Sequence, residues 1–321
     1  MKNRRRQGAR IRPFRLFCSL LILFVIVFIG IRSFQWISTS DSATRKDATT
    51  PGSQQSGGVP VDSGSGPSDI PEEKNNESTG DNAAYSDFYY YEKDKDARYA
   101  EYASPGGILP GDVVWRVNAG LDGVVYHDVQ DVSNPYELTV IVNKYNKLKE
   151  SYVPPDLKSI GNVKVRAEAA DAYVKMATAA AIDGIFFIPQ SGYRSYSYQD
   201  QLYTNYKATD PNGADTYSAR PGFSEHQTGL AIDLNIPSGG SLRNFTGTPQ
   251  AKWVEEHAHE FGFIIRYTDK NTDITGYISE PWHIRFLGIE HATNMKKFGI
   301  DSYEEYKVKY IDHKEGENTE S

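Results

Sequence analysis

The sequence predicts an α+β fold, because helical and strand patterns follow one another in mixed order and the strands are short. An Ala-rich segment over 165–184 places apolar side chains on one helical face and ends at Gly184. The segment 248–262 predicts a second helix that begins at the capping residue Thr248. Residues 230–236 alternate between apolar and polar side chains, which is typical of a strand with one buried face.

Shorter segments complete the predicted fold. Residues 185–195 predict a buried strand that leads into a loop, and residues 195–208 predict a helix. Further strands are predicted at FIIRY (263–267) and WHIRF (282–286), and two C-terminal helices at IEHATNMKKFG and SYEEYKVKY. A doubly wound parallel sheet would need a regular alternation of strands and helices, which this order does not follow.

The N-terminus has the pattern of a membrane anchor. Residues 1–15 are rich in Lys and Arg and contain no acid, which predicts a cytoplasmic segment. The apolar run that follows reaches the length of a bilayer span when it is taken as 16–37. A cleaved signal peptide is the alternative, but no A-x-A pattern follows the run. We therefore expect an uncleaved, single-pass signal-anchor in the cell membrane, with the remainder of the chain extracellular.

Composition divides the rest of the chain. Residues 38–84 are rich in Ser, Gly, Asp and Pro and predict a flexible linker. Residues 85–106 are dense in tyrosine and charge, and we expect a strap that packs against the domain, with stacking on sugars as the alternative. A globular domain is predicted over 107–311 and a disordered tail over 312–321.

Charge and cysteine content exclude several classes of protein. The formal net charge is −7 and no acidic residue precedes Asp41, so the outer part is more acidic than the whole chain. An acidic surface argues against nucleic acid as a partner. The single cysteine, Cys18, lies in the apolar run, which excludes a disulfide scaffold and a cysteine nucleophile in the outer domain. A serine hydrolase is disfavoured because the chain has no G-x-S-x-G motif.

Two stretches place a histidine and a carboxylate beside a predicted strand. SEHQTGLAIDL holds His226 and Asp233, and SEPWHIRF holds Glu280 and His283. Asp233 lies on the polar face of a strand whose other face is apolar, where a carboxylate needs a partner. Two imidazoles and one carboxylate leave a fourth position for water, as in a catalytic zinc site, and Glu280 is then placed to act as the general base.

Each motif also has an ordinary structural explanation. His226 could be a capping residue, Asp233 could bond to a loop, and the second stretch could be a turn anchored by Trp282. A metal pair at His257 and His259 is not expected, because positions i and i+2 of a helix face apart. His291, on a predicted helix, is expected to be structural.

The two stretches taken together resemble a known signature. The pattern Ser224-Glu-His226-x-x-Gly229-x-Ala231-x-Asp233, followed by Glu280-Pro-Trp-His283, resembles that of the VanY-type zinc D-alanyl-D-alanine carboxypeptidases of the LAS metallopeptidase family. The resemblance extends to SGYRS (191–195) and to 142–157, and so covers most of residues 135–290. It implies a small antiparallel sheet with flanking helices, of the Hedgehog/DD-peptidase type, that carries the ligands.

The resemblance also assigns roles to residues. It implies that His226, Asp233 and His283 bind Zn²⁺ and that Glu280 is the general base. Arg194 would bind the substrate near its scissile carbonyl or terminal carboxylate, and Ser224 and Gln199 are similar to substrate-contacting positions.

Arg194 also suits this role on chemical grounds. A carboxypeptidase must recognise a free carboxylate, and guanidinium offers two parallel hydrogen bonds to it. The alternative is a surface arginine that pairs with Asp200 or Glu225.

The expected function is therefore a membrane-anchored, extracellular zinc carboxypeptidase that removes the C-terminal D-Ala of peptidoglycan stem peptides. An L,D-carboxypeptidase that acts on the tetrapeptide stem is one alternative. A non-catalytic cell-wall-binding module is another, but the presence of Glu280 beside all three ligands favours an enzyme.

Overall fold

The computed structural model describes residues 84–313. The predicted cytoplasmic segment 1–15, the signal-anchor 16–37, nearly all of the linker 38–84 and most of the tail 312–321 lie outside these residues. Within the described part of the chain, no helix combines the length and the apolar character that a membrane crossing requires.

The α+β class is confirmed. The described helices are α1 Asp96–Ala103, α2 Pro110–Asn118, α3 Ala167–Ile182, α4 Tyr196–Thr209, α5 Pro249–His257, α6 Thr272–Thr275, α7 Ile289–Phe298 and α8 Tyr303–Lys307. The strands are β1 Gln130–Asp131, β2 Asn146–Lys147, β3 Leu157–Ile160, β4 Val163–Arg166, β5 Ile188–Ser191, β6 Ala231–Asn235, β7 Phe263–Ile265 and β8 His283–Phe286.

The central sheet has four antiparallel strands in the order β5-β6-β8-β7. Strands β6 and β8 lie in the middle, and their register pairs Asp233 with His283 and Ile232 with Ile284. Strands β3 and β4 form a separate antiparallel hairpin, and the two-residue strands β1 and β2 pair in parallel. The sheet thus brings the two sequence motifs onto neighbouring strands.

The helix patterns were predicted well, with differences at the ends. The buried positions of α3 include Ala169, Tyr173, Met176 and Ala180, which form the apolar face that the sequence indicates. The helix begins two residues later than predicted, because 163–166 form strand β4 instead. At α5, the Thr248 side chain accepts a hydrogen bond from the backbone of Ala251, as expected of a cap.

The prediction of a buried strand near residue 185 was wrong in one respect. Strand β5 lies at the edge of the sheet and pairs with β6 alone, so its side chains are exposed or partly exposed, and Ile188 is 38% exposed. An uninterrupted apolar run does not distinguish an edge strand from a central one.

The main core fills the space between the sheet and helices α3 and α5. Its fully buried members include Met176, Ile232, Val254 and Ile284. The opposite faces of β6 and β8 are also covered, since every residue of both strands is buried. Polar side chains on that covered face therefore lie away from solvent and need partners.

The Tyr-rich segment packs against a second apolar cluster. Tyr90 and Tyr99 are buried among side chains of α2 and Val308. The Tyr99 hydroxyl donates to the Asn118 side chain at 2.8 Å, and the Tyr89 hydroxyl donates to the Lys309 carbonyl at 2.7 Å. These buried rings contribute to packing and are not available for stacking on a sugar.

Candidate metal centre

Strand register and one left-handed glycine bring three side chains together. Asp233 and His283 lie opposite each other on β6 and β8. His226 lies in a short 3-10 turn, Glu225–Thr228, that ends at Gly229 with φ 71°. A side chain at Gly229 would be strained by this φ and would lie close to Arg166, so glycine is the residue that lets the chain turn back toward the strand.

The three side chains form a compact, buried group. Nε2 of His226 lies 3.2 Å from Oδ2 of Asp233, and Nδ1 of His283 lies 3.1 Å from Oδ1 of the same carboxylate. The candidate ligand atoms all lie within 4.8 Å of one another. Within residues 84–313 this is the group of His, Cys, Asp and Glu side chains that could hold a metal ion.

The two imidazoles differ in the partners of their ring nitrogens. Nδ1 of His226 lies 2.7 Å from the carbonyl oxygen of Gly192, which can only accept, so Nδ1 carries the proton. Nε2 of His226 is buried without a hydrogen-bond partner. His283 lies between two carboxylates, with Nε2 at 3.3 Å from Oε2 of Glu225 and Nδ1 at 3.1 Å from Oδ1 of Asp233. A neutral ring that donates Nε2–H to Glu225 keeps its lone pair on Nδ1, the nitrogen that faces Asp233.

These residues fit a zinc ion. Nε2 of His226, which is buried without a hydrogen-bond partner, and Nδ1 of His283 both face the Asp233 carboxylate, at 3.2 and 3.1 Å, so two nitrogens and a carboxylate converge on one position. Burial would lower the pKa of His283, but its hydrogen bonds to Asp233 and Glu225 raise it to about 9. The site therefore favours a positive charge, and two imidazoles with a carboxylate are a donor set that zinc prefers.

The pKa values of the other two ligands also suit metal binding. Burial and the nearby charge of Arg194 lower the pKa of His226 to about 4, although Asp233 opposes this. Burial would raise the pKa of Asp233, but the imidazoles of His226 and His283 beside it hold it well below its usual value. At neutral pH His226 is thus neutral and Asp233 ionised, which are the forms that bind a metal.

Glu280 lies beside the group without a hydrogen bond from its side chain to a described residue. Its Oε2 is 4.0 Å from Nδ1 of His283. The backbone fixes its place, because the Glu280 amide donates to the Tyr267 carbonyl and the His283 amide donates to the Glu280 carbonyl, each at 2.9 Å. Burial raises the pKa of Glu280 to about 7, although the charge of His283 opposes this. A carboxyl group with this pKa can both accept and return a proton near neutral pH.

Arg194 faces the same group. Its Nη2 lies 3.8 Å from Oδ2 of Asp233, and its Nε is buried without a hydrogen-bond partner. The backbone amide of Arg194 donates to the carbonyl of His226 at 3.2 Å, which ties the two segments together. The alternative pairing with Glu225 is wrong, because that carboxylate is bonded to Arg266 and Arg285.

Ser224 and Gln199, the two other predicted substrate-contacting residues, lie in different settings. Ser224 precedes the 3-10 turn that carries His226, is buried, and makes no side-chain capping bond. Gln199 is buried on α4, and its Nε2 donates to the carbonyl of Ala219 at 2.7 Å, while its Oε1 has no hydrogen-bond partner. The Gln199 amide thus supports the chain near residue 219 and keeps one acceptor free.

Other histidines lie outside the group. His257 bonds through Nδ1 to Glu260 at 2.9 Å and lies against the ring of Trp253. Nδ1 of His291 lies 3.1 Å from the Tyr306 hydroxyl, which is the structural role expected for it.

Sequence reasoning missed Glu225, Arg266 and Tyr267. Glu225 is buried next to His226 in the chain and accepts hydrogen bonds from Arg266 at 3.0 Å and from Arg285 at 2.8 Å. The ring of Tyr267 lies 4.9 Å from that of His283. One signal in the sequence could have indicated a buried acid such as Glu225. Arg285 shares a strand face with His283, and a buried cation on that face needs an acidic partner.

Comparison with known proteins agrees with this geometry. The VanY family model, described as D-alanyl-D-alanine carboxypeptidase, matches residues 162–289, which include Arg194, His226, Asp233, Glu280 and His283. The protein YodJ of Bacillus subtilis is 38% identical over 198 residues, which are 57% of this chain and 72% of YodJ.

An enzyme and a solved structure extend the comparison. A D-alanyl-D-alanine carboxypeptidase of Enterococcus faecium is 35% identical over 170 residues, which are 52% of this chain and 51% of that enzyme. The chain thus spans about half the length of the enterococcal enzyme. The structure of the LD-carboxypeptidase LdcB is similar, with a TM-score of 0.51, 36% identity, and coverage of 56% of this chain and 89% of that one. From the matched segment, the identity and the shared fold, it follows that the chain belongs to the VanY family of zinc-dependent carboxypeptidases.

Proposed function

We propose that this protein is a D-alanyl-D-alanine carboxypeptidase that removes the terminal D-Ala of peptidoglycan stem peptides. The observation that carries the proposal is the placement of Glu280 and Arg194 beside the buried His226–Asp233–His283 group. Glu280 lies 4.0 Å from His283, and Arg194 lies 3.8 Å from Asp233. A proton acceptor and a cation beside the same metal position are the groups that hydrolysis of a C-terminal amide bond needs.

Each residue of the site has its own role in hydrolysis. His226 through Nε2, His283 through Nδ1 and Asp233 through its carboxylate would hold the zinc ion. When bound, zinc acts as a Lewis acid that activates water and polarises a carbonyl. Glu280 takes the proton of the attacking water on a carboxylate oxygen and later gives a proton to the amine of the departing D-Ala. Arg194 binds the terminal carboxylate or the negative charge that develops at the scissile carbonyl.

An L,D-carboxypeptidase is the second candidate. It is favoured by the similarity to LdcB, which is described as an LD-carboxypeptidase and shares 36% identity with this chain. Both reactions release D-Ala and need the same metal, base and arginine. They differ in the residue that precedes the scissile bond, which is D-Ala in the pentapeptide and an L-centre in the tetrapeptide. A non-catalytic wall-binding module is the third candidate, and the placement of the partly buried carboxyl of Glu280 at 4.0 Å from His283 argues against it.

One assay separates these candidates. The purified protein is incubated with stem pentapeptide and with stem tetrapeptide, with and without a zinc chelator, and released D-Ala is measured. We expect release from the pentapeptide, loss of release with chelator, and recovery on addition of zinc. Release from the tetrapeptide alone would support the L,D activity instead, and no release from either would support the binding module.

The location is also a proposal. Residues 16–37 would form an uncleaved anchor, so that the domain acts on the wall outside the membrane, and residues 38–84 would give it reach. Added protease on intact cells tests this. We expect removal of the domain from the cell surface with a membrane-bound fragment left behind, whereas protection of the domain would contradict the orientation.

A further inference from the structure

Glu225 is a buried carboxylate that contacts a metal-site histidine. Its Oε2 lies 3.3 Å from Nε2 of His283. Its Oε1 accepts hydrogen bonds from Nε of Arg266 at 3.0 Å and from Nη1 of Arg285 at 2.8 Å. Both oxygens are therefore used by protein groups, and Glu225 is not a member of the group whose ligand atoms converge.

The arginines extend this contact to the C-terminal helix. Nη1 and Nη2 of Arg266 donate to the two oxygens of Glu304 on α8, at 3.0 and 2.6 Å. Glu304 is itself buried and also accepts from the side chain of Asn143 at 3.1 Å. Arg285 donates its Nη2 to the backbone carbonyls of two further residues, Leu138 and Val140. Two arginines and two glutamates thus form one buried network whose formal charges cancel.

Stability alone does not explain this network. Burying ionised groups costs several kcal/mol per ion in desolvation, and well-packed apolar residues of similar volume are often as stable or more so. A role at the adjoining site accounts for its position.

The two imidazoles of the site are held in different ways. His226 donates Nδ1–H to a backbone carbonyl, that of Gly192, which no side-chain change can remove. His283 lies between two side chains, because its Nδ1 is 3.1 Å from the metal-site carboxylate of Asp233 and its Nε2 is 3.3 Å from Glu225. In a neutral imidazole, the nitrogen that donates decides which one is left with a lone pair. A carboxylate partner also raises the basicity of the ligating nitrogen.

We propose that Glu225 is a positioning residue that holds His283 with its proton on Nε2, so that Nδ1 is free for the metal, a role that rests on the proposed metal site. Arg266 and Arg285 fix the carboxylate of Glu225 in place, and Glu304 balances the charge of Arg266. Loss of the Glu225 carboxylate therefore weakens metal binding, whereas loss of the Glu304 carboxylate leaves the contact with His283 intact.

Two matched variants of the full chain test this role. Glu225→Gln and Glu304→Gln each remove one negative charge from the same buried network and leave an amide of the same size, but only Glu225 contacts His283. The zinc dissociation constant is measured by competition with a chromophoric chelator. We expect Glu225→Gln to weaken zinc binding by about 10- to 100-fold and Glu304→Gln by less than about threefold.

A second readout reports the tautomer directly. Nitrogen NMR of the zinc-loaded, wild-type protein should show His283 protonated on Nε2 and His226 protonated on Nδ1. A His283 ring protonated on Nδ1 would overturn the proposal, as would equal losses of zinc affinity in the two variants, which would indicate a purely structural network.

A charge-balanced variant covers the case in which Glu225→Gln does not fold. Glu225→Gln/Arg285→Met leaves one buried arginine and one buried glutamate, and we expect it to show the same loss of zinc affinity. Wild-type affinity in this variant would overturn the proposal. Because zinc affinity is measured without substrate, a protein that binds zinc as expected but releases no D-Ala contradicts the proposed function and not the role of Glu225.

Discussion

Asp233 and His283 occupy paired positions on neighbouring antiparallel strands, and their Oδ1 and Nδ1 atoms lie 3.1 Å apart on the same face of the sheet. A slip of one residue in this register would send one of the two side chains to the opposite face. The apolar pairing of Ile232 with Ile284 on the core side opposes such a slip. The core that folds the sheet thus also sets the geometry of the metal centre.

The loss of one metal ligand should prevent the protein from binding one zinc ion per chain. In His226→Ala, the remaining pair of ligands leaves the ion bound through two protein groups, which is one fewer than catalytic zinc sites use. We expect metal analysis of the purified variant to show far less than one zinc per chain. His257→Ala is the control, because His257 pairs with Glu260 outside the site and should leave the zinc content unchanged. Full zinc occupancy in His226→Ala would contradict the ligand assignment.

Removal of the general base Glu280 should lower the turnover number and leave the zinc content unchanged. Because Glu280 is not a ligand in the proposed site, Glu280→Gln should keep its zinc while kcat falls by about 10²- to 10⁴-fold. Zinc content and D-Ala release are measured on the same preparation. Turnover at the wild-type rate in Glu280→Gln would exclude Glu280 as the base.

The pH dependence of the wild-type enzyme should follow the protonation state of Glu280. Burial raises the pKa of Glu280 to about 7, and a base must be deprotonated to accept a proton, so kcat/KM should fall as the pH decreases through the pKa. A bound divalent cation favours the carboxylate and moves the midpoint to a lower pH. We therefore expect an acid limb with its midpoint at or below about 7. A rate that rises as the pH falls from 7 to 5 would show that the protonated form is the active one.

The site was predictable where its residues lie close to one another in a motif. His226 and Asp233 frame one short segment, and Glu280 and His283 another, so their combined spacing could be recognised. The network behind them was not predictable, because Glu225 pairs with arginines 41 and 60 positions away and with no periodic spacing. Charged residues are mostly exposed in proteins, so nothing in the local sequence marks these as buried.

The fold was predictable to a similar degree and for a similar reason. Helix α3 follows from its apolar face and its Gly184 terminator, which are local signals. The edge position of β5 and the hairpin of β3 and β4 depend on strand pairing, which is set by the whole chain.

Arg194 should recognise the terminal carboxylate of the substrate. Arg194→Met removes the guanidinium that faces Asp233, and a lost hydrogen bond to a charged group costs about 1.5 to 3 kcal/mol, or about 10- to 150-fold in kcat/KM. The sharper measurement compares a stem peptide with its C-terminal amide. The wild-type enzyme should discriminate against the amide, and Arg194→Met should not. Arg116→Met is the control, since Arg116 pairs with Asp273 on the surface. Discrimination that persists in Arg194→Met would assign carboxylate recognition to another residue.

The Tyr-rich segment should contribute to the stability of the folded domain. Tyr99 is fully buried, and its hydroxyl accepts a hydrogen bond from the Glu92 amide at 3.1 Å and donates one to Asn118. Truncation of a buried aromatic residue costs about 3 to 5 kcal/mol, so Tyr99→Ala should lower the free energy of unfolding by an amount of this order. Tyr198→Ala is the matched control, because Tyr198 is 51% exposed and its loss should change stability by about 0.5 kcal/mol or less. Denaturant unfolding of both variants measures the difference. Equal stability of the two would mean that residues 85–106 unfold independently of the domain that carries the metal centre.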